Sequence, residues 1–240
     1  MLKALLTDID GTITGPDRRI DTGSILAIRS LISSGVEVVL ASGNTACFMD
    51  ALSRMIGTNG TFIAENGGVY RIGYGSPLTI NGSQAACRTA LTAVQDHFRA
   101  KGTELELYSP DYRYADLAFA RTVPVDEVFT ILKDHPVQVI DTGYAIHIQS
   151  PRINKGTALE LLAPGMGLLP ADFLAIGDSL NDLQMLKTAG TAVTLANGHP
   201  DLKSIAHYVT GKEYGDGFVE AVEKYFFISA QGSGQPQYNP

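Results

Sequence analysis

The chain has 240 residues, 45% of them hydrophobic and 18% charged, the proportions of an ordinary soluble globular protein near the size at which a second core begins. Its formal net charge of −7 comes without a basic run, which argues against nucleic acid as a partner, and no apolar stretch is long enough to span a bilayer. Cys47 and Cys87 fit no metal or redox spacing, and the N-terminus meets Asp8 too early for a secretory signal, so a reducing cytoplasm is the expected location.

Residues 3–7 read as a buried strand. Thr22 or Ser24 is the expected cap of a helix that places Ile25, Ile28, Leu31 and Ile32 on one face and closes at Gly35. Val36–Ala41 is a second apolar strand, followed by a helix over Thr45–Ile56 and a short strand over Thr61–Ala64. This alternation predicts parallel strands in a doubly wound sheet. The middle of the chain departs from it: a helix over Ser83–Arg99, strand-like runs at Glu104–Tyr108 and Arg113–Ala120, and a helix over Val125–Lys133. Then come strands at Val137–Ile140 and Tyr144–Gln149 flanking the hairpin signal Asp141-Thr-Gly. The first pattern returns with a helix over Lys155–Leu162, a strand at Phe173–Ile176, a helix near Asn181–Lys187 and a strand at Thr191–Leu195. The fold class expected is therefore α/β. Residues 1–76 and 153–228 form the doubly wound parallel sheet, 77–152 an inserted smaller α+β domain, and 229–240, without apolar pattern, a disordered tail.

Asp8-Ile-Asp10-Gly11-Thr12 stands where the first strand ends, and ligands of such sheets bind at the carboxyl ends of strands. Residues two apart on an extended backbone share a face, so both carboxylates enter one space and repel unless a cation sits between them. Mg²⁺ resolves that, since it takes one or two carboxylates and leaves room for a phosphate oxygen. A surface turn capped by aspartates is the plain alternative, but residue frequencies give this pentapeptide a chance rate of roughly 0.3%. Ser42-Gly43, after the second strand, suits a phosphate cradle at a helix start, although serine there is as often only an N-cap. Lys155 offers a point cation for phosphate, though most lysines are solvated surface residues. Asp178 ends another apolar strand, with Asn181 and Asp182 following, so Asp178 and Asp182 are one helical turn apart and could complete the oxygen ligands of one Mg²⁺.

Asp-x-Asp-Gly-Thr, then Ser42, Lys155 and Gly177-Asp178-Ser179-x-Asn181-Asp182, in that order over nearly the whole chain, resembles the haloacid dehalogenase superfamily of phosphatases. An insertion between Ser42 and Lys155 resembles the branch with an α/β cap in that place. Glu65-Asn66-Gly67-Gly68, Ala196-Asn197 and Tyr214-Gly215-Asp216-Gly217 are similar to the archaeal phosphoglycolate phosphatases. The resemblance implies Asp8 as nucleophile and Asp10 as acid and base. It implies Mg²⁺ on Asp8, the Asp10 carbonyl and Asp178, with Asp182 beside it, and Ser42, Gly43, Lys155 and Asn181 on the phosphate. The partner expected is a small phosphorylated organic acid or sugar, and the chain a monomer or homodimer. Arg113 and His147, in the cap, are the candidates for a substrate carboxylate, each weighed against a plain strand residue. A sugar-phosphate or phosphomannomutase-like enzyme and a non-catalytic phosphate-binding module stay open. A dinucleotide-binding Rossmann protein fails for want of Gly-x-Gly-x-x-Gly after the first strand.

Overall fold

Strand β1 (Ala4–Asp8) is buried along its whole length because it is apolar towards both layers of the protein: Leu5 and Ile9 enter one core and Ala4 and Leu6 the other. The computed structural model describes residues 2–226, so the tail expected over 229–240 lies outside the described residues. Helix α1 (Thr22–Ser33) is capped by Asp21 rather than by Thr22 or Ser24. The Asp21 carboxylate, on extended backbone, accepts from the Ser24 N–H at 2.7 Å and so satisfies one of the helix's free donors from one residue earlier. β2 (Glu37–Ala41), α2 (Ala46–Ile56) and β3 (Phe62–Ala64) follow. β4 (Val69–Arg71) and β5 (Thr79–Ile80) then extend the sheet antiparallel. At three and two residues they are too short to show alternation, and Thr79–Ile80, expected in the inserted domain, belongs instead to the larger sheet.

The inserted domain comprises α3 (Gln84–Ala100), β6 (Asp116–Ala120), α4 (Val125–Leu132), β7 (Gln138–Asp141) and β8 (Ala145–Gln149), its strands ordered β6-β8-β7 and antiparallel. The strands expected at Glu104–Tyr108 and Arg113–Ala115 are not formed. Leu107 makes an isolated bridge to Phe119, and the turn Pro110–Tyr112, entered through Ser109 at φ 51°, delays the strand until Asp116. The period of two then divides the small sheet. Leu117, Phe119, Ile146 and Ile148 pack beneath Leu91, Val94 and Val128 of the helices, while Asp116, His147 and Gln149 face the other way and are buried against the larger domain.

The chain returns through α5 (Lys155–Gly165), β9 (Phe173–Gly177), α6 (Leu183–Thr188), β10 (Thr191–Thr194), α7 (Pro200–Ile205), β11 (Tyr208–Val209) and α8 (Tyr214–Phe226). α5 does not stop at Leu162 but continues past Pro164, which lies exposed in the last turn, where one missing N–H costs little. Asn181 and Asp182 form a 3₁₀ turn ahead of α6 rather than its first residues. α7, β11 and α8 carry no sequence expectation. No helix of the described residues is long and apolar enough to cross a membrane.

Among the described residues the larger sheet has the order β11-β10-β9-β1-β2-β3-β4-β5, with β11 to β3 all parallel. The order reverses at β1, so the crevice of this doubly wound sheet opens at the carboxyl end of that strand. Register pairs Asp8 with Ala41 and Thr7 with Ile176. Ser42 and Asp178 therefore leave the sheet on either side of Asp8.

Candidate active site

Asp8 occupies the end of β1, and the chain turns immediately after Asp10. Gly11 has φ +90°, and a Cβ there would lie 2.5 Å from Asp178 Oδ2, so a larger residue would push the turn off that carboxylate. Asn154 caps α5, accepting from the Thr157 N–H at 2.9 Å while Thr157 Oγ1 accepts from the Asn154 N–H. This fixes Lys155 in the first helical position, where a cation opposes the helix dipole and needs anionic partners. They are present: Lys155 Nζ donates to Asp8 Oδ1 at 2.5 Å and to Asp182 Oδ1 at 2.6 Å, and the side chain is 0% exposed. The second oxygen of Asp182 accepts from the N–H groups of Asp178 and Ser179, both at 3.0 Å. Asp178 in turn accepts from Thr12 Oγ1 at 2.9 Å and Ser179 Oγ at 2.8 Å.

Burial, and then the charge of Asp182, drive the Asp8 carboxyl well above its ordinary pKa; Asp178 and Asp10 add to the rise and Lys155 opposes it. Asp178 is pushed up to about 6 by burial and by Asp182. Burial works against the Lys155 ammonium, but Asp182 and Asp8 outweigh it and hold its pKa above the usual value. Asp8, Asp178 and Asp182 each offer an oxygen within 4.8 Å of the others. One ammonium against three buried carboxylates leaves negative charge uncompensated in a low-dielectric setting. An all-oxygen donor set with excess negative charge fits a hard cation such as Mg²⁺.

Ser42 Oγ accepts from the Asn44 N–H at 3.1 Å and from Asn44 Nδ2 at 3.0 Å, which leaves its own O–H to donate. Asn44 Nδ2 also donates to Asp10 Oδ2 at 2.9 Å, so one amide holds two of the expected site residues. Asn44, two residues after Ser42, carries no expectation from the sequence. Asn181 Nδ2 donates to Asn66 Oδ1 at 3.0 Å. Asn197 Nδ2 donates to the Gly11 carbonyl at 2.9 Å, and its Oδ1 accepts from the Tyr214 N–H at 2.8 Å. The short motifs around residues 65, 196 and 214 thus brace the site from behind, a role no local signal disclosed.

The cap meets this floor through two charged groups. Arg113 Nε donates to the Tyr108 carbonyl at 2.9 Å, and Nη1 donates to Asp116 Oδ1 at 2.6 Å and to the Gly43 carbonyl at 3.2 Å. Asp116 Oδ2 pairs with His147 Nδ1 at 2.8 Å. His147 and Arg113 together lower the Asp116 pKa against the effect of burial. From the other side, the buried Glu65 carboxylate accepts from the N–H groups of Tyr114, Ala115 and Asp116, with the shortest bond, 2.7 Å, to Ala115. Glu65, at φ 49°, opens a left-handed turn with Asn66 and Gly67.

Burial, and then Asp116, raise the Glu65 pKa to about 7 despite those three donors. Folded Glu65 keeps its proton up to about pH 7, while the unfolded carboxyl releases it near the ordinary 4.5. The folded state binds more protons between those values, so this group's contribution is full at low pH and is lost as pH rises through about 7. Thermal melts of Glu65→Gln are expected to be flatter than wild type between about pH 4.5 and 7. Parallel curves would remove Glu65 from the pH dependence.

One cavity of about 360 Å³ lies between the domains and is lined by Asp8, Asp10, Ser42, Gly43, Asn181, Arg113 and His147, with Arg18, Asn44 and Tyr144 among its further walls. Lys155 and Asp182 join it through the hydrogen bonds to Asp8, and Asp178 through its N–H to Asp182. Arg18 and Tyr144 were not expected there. Arg18 lies over the Tyr144 ring, 4.9 Å from its centroid. Burial, followed by Asp178 and Asp10, raises the Tyr144 hydroxyl pKa, with Arg18 acting the other way.

A sequence profile of the haloacid dehalogenase-like hydrolases matches residues 5–117 and 117–222. The chain is 55% identical over 228 residues to a phosphoglycolate phosphatase of Methanoculleus marisnigri, covering 94% of this chain and 97% of that one. It is 46% identical over 226 residues to a phosphoglycolate phosphatase of Methanospirillum hungatei, with 94% and 97% covered. Among solved structures, Thermoplasma acidophilum 0175 superposes with a TM-score of 0.84 at 26% identity, over 95% of this chain and 100% of that one. A haloacid dehalogenase-like hydrolase from B. subtilis shares the fold, with a TM-score of 0.77 at 16% identity over 93% of this chain and 100% of that one.

Proposed function

Because this chain belongs to the haloacid dehalogenase-like hydrolases and is a phosphatase of that family, we propose that it hydrolyses 2-phosphoglycolate to glycolate and phosphate through an aspartyl-phosphate on Asp8. The observation that carries the reading is the convergence on Asp8 of one buried ammonium, two further buried carboxylates and a cavity of about 360 Å³. That volume admits a small phosphorylated substrate, and the names of the relatives at 55% and 46% identity support 2-phosphoglycolate as that substrate.

Asp8 attacks phosphorus in line with the leaving oxygen, forming the phosphorus–carboxylate bond as the phosphorus–alkoxide bond breaks. Asp10, oriented by Asn44, protonates the departing alkoxide and afterwards takes a proton from the water that attacks phosphorus, releasing phosphate and regenerating Asp8. Lys155 keeps Asp8 in position, and the Ser42 hydroxyl with the Gly43 N–H faces the phosphoryl oxygens, with Asn181 beside them. Asp8, Asp178 and the Asp10 carbonyl would hold Mg²⁺, with Asp182 beside them orienting Lys155 and the Asp178 backbone. When bound, the ion offsets the charge that builds up on the transferring group. The cap, proposed as residues 81–152, covers the site; Arg113 fastens it to Gly43.

The test is phosphate release from 2-phosphoglycolate, hexose phosphates, glycerol phosphate and p-nitrophenyl phosphate, each with Mg²⁺ and with EDTA. Preference for 2-phosphoglycolate, abolished by EDTA and restored by Mg²⁺, is the expected result. Preference for hexose phosphates would overturn the substrate, and activity undiminished by EDTA would overturn the metal.

A further inference from the structure

A substrate with two anionic ends needs a second cation, because Lys155 is sealed beneath Asp8. Two arginines line the cavity, Arg18 and Arg113. Arg113 already holds an ion pair to Asp116 at 2.6 Å and donates to the carbonyls of Tyr108 and Gly43. A guanidinium so bound holds the cap in place and has little freedom to receive a carboxylate. Arg18 differs. Among the described residues no carboxylate lies within 4 Å of it, and its neighbour Arg19, not Arg18, faces Asp17 at 3.5 Å.

The position of Arg18 is built rather than casual. It stands at the tip of a small loop closed by the Thr14–Ile20 bridge, with the Gly15 N–H donating to the Arg19 carbonyl at 3.0 Å and the Arg18 N–H to the Gly15 carbonyl at 2.9 Å. Its φ of 61° is a left-handed conformation that residues other than glycine keep only where the surroundings hold them. The loop begins four residues after Asp10, so the guanidinium shares the cavity with the reacting carboxylates. Across the mouth, Tyr144 of the cap, in the β7–β8 turn, supplies an aromatic face 4.9 Å from the Arg18 guanidinium carbon. A guanidinium held over a ring face by its charge keeps N–H groups with which it can donate in pairs to a carboxylate.

We propose that Arg18, held over the Tyr144 ring at the mouth of the cavity, binds the carboxylate of the substrate and sets specificity for phosphorylated acids. The inference rests on the substrate reading above and assigns its non-reacting end. Tyr144 acts as a positioning residue: its ring fixes the guanidinium and couples carboxylate binding to the seating of the cap.

The experiment compares 2-phosphoglycolate with 2-hydroxyethyl phosphate, which keeps the phosphate and the alkoxide leaving group and replaces the carboxylate by an uncharged alcohol. For Arg18→Ala the ratio of kcat/KM for the two substrates is expected to fall ~10- to 100-fold, mostly through the KM for 2-phosphoglycolate. Arg18→Glu should lower the ratio further, Tyr144→Ala should reproduce part of the fall, and Tyr144→Phe should not. Arg19→Ala, exposed and outside the cavity, should keep the wild-type ratio. A wild-type enzyme that prefers 2-phosphoglycolate, with Arg18→Ala keeping that preference, overturns Arg18 and leaves the substrate reading standing. Equal losses on both substrates would mark Arg18 as merely structural and also overturn it. A wild-type ratio near one would overturn both.

Discussion

Replacing Asp8 by Asn is expected to lower kcat by about 10⁴-fold or more while leaving the fold intact. The amide has the shape of the carboxylate but cannot form a phosphorus–oxygen bond that water later breaks, so the two-step path is closed. Stability should change little. The substitution removes the charge of one of three clustered buried carboxylates, and Lys155 still has Asp182 at 2.6 Å. Phosphate release under saturating substrate reads the first effect, and circular dichroism with a thermal melt reads the second. Turnover of more than about a tenth of wild type would remove Asp8 from the nucleophile's place.

Replacing Lys155 by Met is expected to be costly in a different way. Methionine fills much of the same volume, but Asp8 and Asp182 then face each other with no cation between them in a fully buried site. Removing one partner of a buried ion pair typically costs about 3–5 kcal/mol, which for a chain of this size lowers Tm by roughly 6–20 °C. The variant should lose activity as well, because Asp8 is no longer restrained. Mg²⁺ bound beside Asp8 would recover part of the lost stability, since a ligand of the folded state raises Tm by mass action. Melts of wild type and variant with Mg²⁺ and with EDTA check this. A variant as stable as wild type in EDTA would show that the ammonium is not what reconciles the carboxylates.

Asp8, Asp10, Asp178 and Lys155 could be picked out from the chain because each stands at the end of an apolar strand or the start of a helix, and such positions carry function in a doubly wound sheet. Ser42 was legible for the same reason, and its place beside Asp8 follows from register, whereas Asn181 was legible only as part of the run Gly177–Asp182 and lines the same cavity. Thr12, inside the run Asp8–Thr12, was within reach too, as was Asn44, directly after Ser42-Gly43. Asp116 was not: it belongs to a run whose polar residues look solvent-facing, and burial against the core, with Arg113 and His147 as partners, gives it its place. His147 was found by alternation with Ile146 and Ile148, which sends the two isoleucines into the cap's core and the imidazole to the cavity.

What the amino-acid sequence determined by itself was local. Apolar runs of strand length, helix caps and aspartates at strand ends follow from near neighbours, and they were enough for an α/β sheet with an insertion and for a set of candidate residues at its edge. Tertiary structure decided which residues face one another across the two domains. Glu65 reaches the N–H groups of residues 114–116, Asn197 ties Gly11 to Tyr214, and Arg18 finds Tyr144. These contacts join segments tens to nearly two hundred residues apart, and their energies depend on burial and on the charge of partners that no local window contains. One arginine of the loop pair Arg18-Arg19 has no distinguishing mark until the cap places an aromatic ring over it and leaves its charge facing the site.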